Sequence, residues 1–160
     1  RLGNRPGRDS GLTMGLPGHI DSSVYSGLRD VLQRSPTITT VTFEPDSISK
    51  EFLRATVAPD RITPPTGSDP PVIDVEWRFD GETEYYRIHY ADPNTGFNCG
   101  WHRDDDHPEL GAVHFQYTHP EDGETAHSRA AFEKSVPTEI LWIALRRLFE
   151  TKLPKYTSST

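Results

Sequence analysis

Apolar and polar residues alternate through the middle of the chain, which is the pattern of β-strands that bury one face. Turn signals separate the alternating stretches, among them Asp80-Gly81 and the segment 92–96. Short strands joined by tight turns favour an antiparallel meander. A fifth strand is predicted over 37–43, where β-branched residues alternate. The four strands of the meander are predicted over residues 72–79, 84–90, 97–102 and 112–117.

Two segments have the 3.6-residue apolar periodicity of helices that pack along one side. The first begins at a cap near Asp21 and ends near Arg34, before Pro36. The second begins with Pro137 and runs to about Lys152. Its apolar residues cover about half of its circumference, a wider stripe than ordinary surface helices carry. We therefore expect this helix to contact a partner as well as the sheet, and a homodimer is one possibility.

The stretches between these elements predict one short helix and two loops. The short helix is expected to carry Ile48, Phe52 and Leu53. Residues 58–71 contain five prolines and predict a loop, and the charged segment 118–129 predicts another. The fold class that follows is α+β, with an antiparallel sheet of four to five strands and two or three helices packed on one face.

The length of 160 residues fits one domain. Residues 1–20 are expected to be a flexible leader or tag, because breakers are frequent there and apolar periodicity is absent. Met14 is the only methionine, and translation is expected to start there unless the preceding residues belong to a tag or tail. A single α+β domain is predicted over 21–153, followed by a basic flexible tail over 154–160.

Composition excludes several classes of protein. The longest apolar run, 140–145, has six residues, whereas a membrane span needs about 20. The single cysteine, Cys99, excludes an internal disulfide, and with no export signal we expect a cytoplasmic protein. The 24 acidic residues outnumber the 17 basic ones, which argues against general coating of nucleic acid but allows a local basic site. The scarcity of lysine is also typical of salt-adapted proteins.

Because strand residues alternate between faces, parity assigns the polar side chains of the meander to one surface. Three histidines and two arginines are more than solvation of a surface requires. The loop over 103–109 is expected to overhang the same surface. The residues assigned to this polar face are Glu76, Arg78, Arg87, His89, His102, His114 and Gln116.

Three uses of such a face remain open. The first is nucleic-acid chemistry without metal, in which arginines hold phosphate and histidines transfer protons. The second is a divalent metal site of mixed imidazole and carboxylate ligands. In the third, the histidines are ordinary polar residues beside a solvated acidic loop. The candidate metal ligands are His102, Asp104, Asp106, His107 and His114.

Short ordered motifs over 72–116 resemble the core of the TumE-type toxins of prokaryotic toxin–antitoxin systems. These motifs are Tyr86-Arg-Ile-His89, Trp101-His-Arg-Asp104, His107-Pro-Glu-Leu110 and His114. Where the family tends to show Pro-His-His-x-His, this chain has Ala112-Val-His114-Phe-Gln116. The resemblance implies a cytoplasmic toxin that arrests growth through nucleic-acid metabolism and is neutralised by a helix-turn-helix antitoxin.

For a nuclease of this kind, we expect His107 and His114 to transfer protons. Asp104 is expected to orient a histidine or to hold a metal. The substrate-binding candidates are Arg87, His89, His102, Arg103 and Gln116. The main alternative is a non-catalytic interaction domain that binds the antitoxin or a replication factor. A structural protein of a mobile element is a third hypothesis.

Overall fold

The computed structural model describes residues 16–121 and 123–157. Within these residues, seven strands form one antiparallel sheet, and each strand pairs with its neighbours in the sequence. The predicted meander is therefore confirmed, but the sheet is larger than the four or five strands expected. The strands are β1 (Ile38–Glu44), β2 (Phe52–Val57), β3 (Val72–Asp80), β4 (Thr83–Ala91), β5 (Asn98–Arg103), β6 (Val113–Thr118) and β7 (Thr125–Arg129).

Helices precede and follow the sheet. Helix α1 (Ser22–Arg34) begins as predicted at Asp21, whose carboxylate accepts the backbone N–H groups of Ser23 and Val24. Helix α2 (Pro137–Arg147) continues through a π-helical turn (Leu148–Lys152) into α3 (Leu153–Thr157). The helical segment is thus longer than predicted and includes the first residues of the expected tail, while 158–160 lie outside the described residues.

One face of the sheet packs against the helices to form the core. Across the middle of the sheet, register places large apolar residues on this face of β3 to β6: Val75, Ile88, Trp101 and Phe115. The helices add buried residues to the same cluster, among them Leu28, Leu32, Leu141, Leu145 and Leu148. Alternation in the sequence thus separates a helix-covered apolar face from a second, polar face.

The short helix predicted after β1 is wrong. Phe52 and Leu53 begin strand β2, in which Leu53 pairs with Val75, while Ile48 is 91% exposed in the preceding turn. Three apolar residues in a short stretch fit a helix as well as a strand. The burial of Leu53, Ala55 and Val57 on alternate positions shows that the period is two.

The loop predicted over 118–129 is partly wrong, because Thr125–Arg129 forms the edge strand β7. All five residues of β7 are exposed and none is a large apolar residue, so no alternation marks the strand in the sequence. Backbone pairing with β6 holds it in the sheet.

The predicted leader, 1–20, lies mostly outside the described residues, as does Met14. Within its described part, His19 pairs with Phe79 through two backbone hydrogen bonds of 2.8 and 2.9 Å. Each helix in the described part of the chain is too short or too polar to cross a bilayer.

Candidate functional site

The polar face of the sheet, opposite the helices, is built from two rows of side chains that cross β3 to β7. One row contains Glu76, Arg87, His102, His114 and Arg129. The next row contains Asp74, His89, Gly100, Gln116 and His127. Arg78 lies opposite Tyr85 in a further row of the same face. The residues that parity assigns to this face therefore do share it, and β7 adds His127 and Arg129.

Four histidines gather at the β5–β7 end of this face, and we call His102, His107, His114 and His127 the histidine cluster. His114 is central and only 1% exposed. Its ring centroid lies 4.8 Å from that of His107, 5.1 Å from that of His102 and 5.7 Å from that of His127. The rings of His107 and His127 are 4.2 Å apart.

His107 enters the cluster from the loop between β5 and β6, which folds back over the sheet. Pro108–Leu110 forms a 3-10 turn that ends at Gly111, where a φ of +90° favours glycine. The Nδ1 atom of His107 lies 3.3 Å from the Glu109 carboxylate. The Glu109 carbonyl in turn accepts a hydrogen bond of 3.1 Å from Arg129 on β7. The loop is therefore tied to the edge strand beside the cluster.

Two histidines of the polar face are buried without full hydrogen bonding. The Nδ1 atom of His89 and the Nε2 atom of His102 have no hydrogen-bond partner among the described residues. Burial, with a smaller contribution from Arg87, lowers the pKa of His89 to about 3. The same two causes hold the pKa of His102 well below its usual value. Both imidazoles are therefore neutral at pH 7.

Each histidine of the cluster has different polar neighbours. Nδ1 of His102 lies 3.8 Å from the carboxylate of Asp104, too far for a hydrogen bond. Nε2 of His114 lies 3.2 Å from the amide oxygen of Gln116. Desolvation and the neighbouring His107 and His114 lower the pKa of His127.

Carboxylates and arginines occupy the β2–β4 end of the polar face. Arg54 holds Asp74 through two hydrogen bonds of 2.8 and 2.9 Å, and Arg78 pairs with Glu76. Asp74 and Glu76 are 6% and 1% exposed. Burial lowers the pKa of the Arg87 guanidinium, which lies between these carboxylates and His102 in the register. At this end of the face, buried carboxylates are thus paired with partly exposed arginines.

The structure places Arg103 and Asp106 away from the polar residues with which the sequence grouped them. Arg103 lies opposite Tyr86 and Val113, on the helix-covered side of the sheet, and its Nε donates to the Glu84 carbonyl at 2.9 Å. Arg103 is the last residue of β5. Because side chains two positions apart in a strand point to the same face, Arg103 faces the same way as Trp101. Asp106 is exposed and donates its backbone N–H to Asp104 at 3.0 Å.

The sequence prediction missed His127 because it missed β7. One signal was present, since Asp122-Gly123 is a dipeptide typical of hairpin turns. With β7 paired to β6, His127 lies opposite Gln116 and diagonal to His114.

Among residues 16–121 and 123–157, two groups of possible metal ligands are found, and both contain His114. One is His107, His114 and His127, and the other is His102, Asp104 and His114. In each group the donor atoms lie within 4.8 Å of one another. Each group has the imidazole-rich composition that Zn²⁺ and related ions favour.

A protein-family model described as Toxin TumE matches residues 28–147, about three quarters of the chain. The match contains all seven strands and the whole histidine cluster. Comparison with curated proteins and with solved structures gave no match.

Proposed function

The chain belongs to the TumE toxin family, and from that premise we propose that it arrests cell growth by attacking nucleic acid at the histidine cluster. The observation that carries this proposal is the convergence of His102, His107, His114 and His127 on the sheet face that no described helix covers. We further propose that the protein acts in the cytoplasm and that a helix-turn-helix antitoxin neutralises it.

Arginine side chains beside the cluster suit a phosphodiester substrate. Arg129 is exposed on β7 and lies opposite His114 in the register, and Arg87 lies opposite His102. Guanidinium groups bind phosphate oxygens through paired hydrogen bonds. A phosphate held by Arg129 would lie next to His114 and His127. Substrate binding is thus proposed at the β6–β7 edge, with Arg87, His89 and His102 deeper in the face.

Cleavage of a phosphodiester requires movement of one proton from the attacking oxygen and one proton to the leaving oxygen. The attacking oxygen, from water or from a ribose 2′-hydroxyl, forms a new bond to phosphorus while the ester P–O bond breaks. In one version of this reaction His107 and His114 transfer both protons. In the other version the histidines would hold a divalent metal, and the metal would supply a bound water of lowered pKa as the attacking group. Asp104 is proposed to orient a histidine in either version.

A second candidate function is binding without chemistry. It is favoured by the surface of α2, where Trp142 is 50% exposed and lines a cleft with Pro36 and Phe149. An exposed tryptophan is typical of interaction surfaces. An antitoxin, a replication factor or a second copy of the chain would bind there, and the homodimer through the C-terminal helix stays a prediction.

Incubation of the purified protein with labelled RNA and with single- and double-stranded DNA tests the nuclease proposal. We expect cleavage of one of these substrates by the unmodified chain and none by the double variant His107→Gln, His114→Gln. The matched control is His119→Gln, because His119 lies outside the cluster and near Phe97. Circular dichroism confirms that each variant is folded.

The unmodified, folded chain is incubated with each substrate before and after addition of Zn²⁺, Mn²⁺ and Mg²⁺. If every substrate stays intact, the result contradicts the nuclease proposal and favours the binding function. Chelation with EDTA separates the two versions of the reaction. Activity that survives EDTA requires proton transfer by the histidines alone, and activity that EDTA abolishes requires a metal.

A further inference from the structure

The geometry points to a binding site for one divalent transition-metal ion formed by His107, His114 and His127. These residues come from three segments: the β5–β6 loop, strand β6 and edge strand β7. Their donor atoms lie within 4.8 Å of one another. The proposed catalytic use of the ion rests on the proposed function above, whereas the binding itself does not depend on it.

Small side-chain movements bring the three imidazoles to ligating distance. With metal–nitrogen bonds of about 2.0–2.1 Å in a tetrahedral site, ligand nitrogens lie about 3.3 Å apart. His114 is fixed by burial, but His107 is half-buried and His127 is exposed. The two more accessible side chains are therefore free to turn toward the buried one without disturbing the core.

Two polar groups contact a ring nitrogen of His107 and of His114, and these contacts would orient both imidazoles toward a metal. Metal-bound histidines usually direct their second ring nitrogen to a carboxylate or an amide oxygen. The Glu109 carboxylate lies 3.3 Å from Nδ1 of His107, and the Gln116 oxygen lies 3.2 Å from Nε2 of His114. These contacts leave Nε2 of His107 and Nδ1 of His114 for the metal.

The donor set determines the class of ion. Three neutral imidazoles favour Zn²⁺, Co²⁺ or Ni²⁺, whereas Mg²⁺ and Ca²⁺ prefer oxygen ligands. Three uncharged ligands also leave the full positive charge of the ion available to a phosphate oxygen. Three protein ligands would leave a further position for water or substrate, as in catalytic rather than structural zinc sites.

The second possible ligand group, His102, Asp104 and His114, is less suited to such an ion. His102 is 9% exposed, and Asp104 already accepts the backbone N–H of Asp106. An ion held there would be shielded from a nucleic-acid phosphate. The three-histidine group is therefore the better site for an ion that contacts substrate.

Titration of the 160-residue chain, treated with EDTA and dialysed, with Co²⁺ tests the site, since tetrahedral Co²⁺ has a visible absorption spectrum. We expect one equivalent to bind and Zn²⁺ to displace it. His127→Gln should abolish this binding without unfolding the protein, because the side chain is exposed. Glu109→Gln should weaken binding by about 10- to 100-fold, and His119→Gln should leave it unchanged.

Absence of Co²⁺ and Zn²⁺ binding to the folded, unmodified chain would overturn the site, as would equal binding by His127→Gln. Binding that survives His127→Gln but is lost in Asp104→Asn would place the ion in the second group and also overturn it. The Co²⁺ titration measures metal binding directly and requires neither toxicity nor cleavage of a substrate. Failure of the metal site therefore leaves an EDTA-resistant nuclease standing, and failure of the nuclease leaves metal binding measurable.

Discussion

The two faces of the sheet both contain fully buried side chains, but those side chains are apolar on one face and polar or charged on the other. On β3, Trp77 is 0% exposed toward the helices, and its neighbour Glu76 is 1% exposed on the polar face. Burial of the tryptophan removes apolar surface from water and stabilises the fold. Burial of the carboxylate removes hydration, which costs free energy unless new partners replace the water. Burial on the helix-covered face therefore stabilises the protein, whereas burial on the polar face lowers stability where a polar group lacks a partner.

Partners replace water on the polar face only in part. Asp74 has Arg54, and Glu76 has Arg78. The buried ring nitrogens of His89 and His102 that lack partners among the described residues remain uncompensated. Buried titratable groups with displaced pKa values concentrate at functional sites. This comparison supports the polar face as the working surface of the toxin.

The largest expected effect comes from removing a large side chain on the helix-covered face. Trp77 stacks on Tyr86 with 4.3 Å between ring centroids. We expect Trp77→Ala to lower the free energy of unfolding by about 3–5 kcal/mol. The same change at Trp142, which is half-exposed on α2, should cost about 1 kcal/mol or less. Urea denaturation measures both, and equal losses would remove the energetic distinction between core and surface.

A smaller loss of stability is expected from substitution of Gly100, which lies on the polar face of β5, between β4 and β6. A Cβ atom there would come within 2.3 Å of the Ile88 carbonyl oxygen and 2.9 Å of the His89 Cα atom. Because both obstacles are backbone, Gly100→Ala should lower the free energy of unfolding by about 1–3 kcal/mol.

The matched control for this change is Gly27→Ala in α1, where the new methyl group meets only the end of the Thr138 side chain. Alanine also favours the helix by about 1 kcal/mol over glycine. Urea denaturation of both variants measures the difference. If Gly100→Ala proves as stable as Gly27→Ala, the close packing of His89 against β5 does not contribute to the stability of the fold.

The third prediction concerns pH and sharpens the comparison at His89. The groups that face this ring are Asp74 on β3, Arg87 on the same strand and His102 on β5. The pKa of His89 is about 3 in the fold, against about 6.5 for an unfolded histidine. Between these values only the unfolded chain takes up the proton. Stability should therefore fall as the pH drops below 6.5, by up to about 1.4 kcal/mol per pH unit.

The variant His89→Gln removes this titration. Its free energy of unfolding, measured in urea with EDTA between pH 6.5 and pH 4.5, should fall less steeply than that of the unmodified chain. Parallel slopes for the two proteins would show that His89 is not buried in its neutral form.

Strong alternation made the centre of the molecule predictable from the sequence. In β3 to β6, most apolar residues that reach the helices are followed by a polar residue on the other face. One pattern therefore predicted both the core and the convergence of Arg87, His102 and His114. The resemblance to TumE-type toxins, based on motifs in these strands and in the loop between β5 and β6, is confirmed by the family match.

The edges of the sheet were less predictable, because local residues do not specify them. Strand β7 has no large apolar residue, so its pairing with β6 through the backbone leaves little trace in the sequence. With β7 missing, His127 could not be assigned to the site. The position of Arg103 depended on where β5 ends, and alternation does not fix that boundary.

Growth of cells after induction of the chain tests most directly whether the histidine cluster carries the toxicity. The comparison uses the double variant His107→Gln, His127→Gln and the control His119→Gln, all at equal levels of folded protein. The unmodified chain and His119→Gln are predicted to arrest growth, and the double variant is predicted to permit it. Full arrest by the folded double variant would contradict the central role of the cluster.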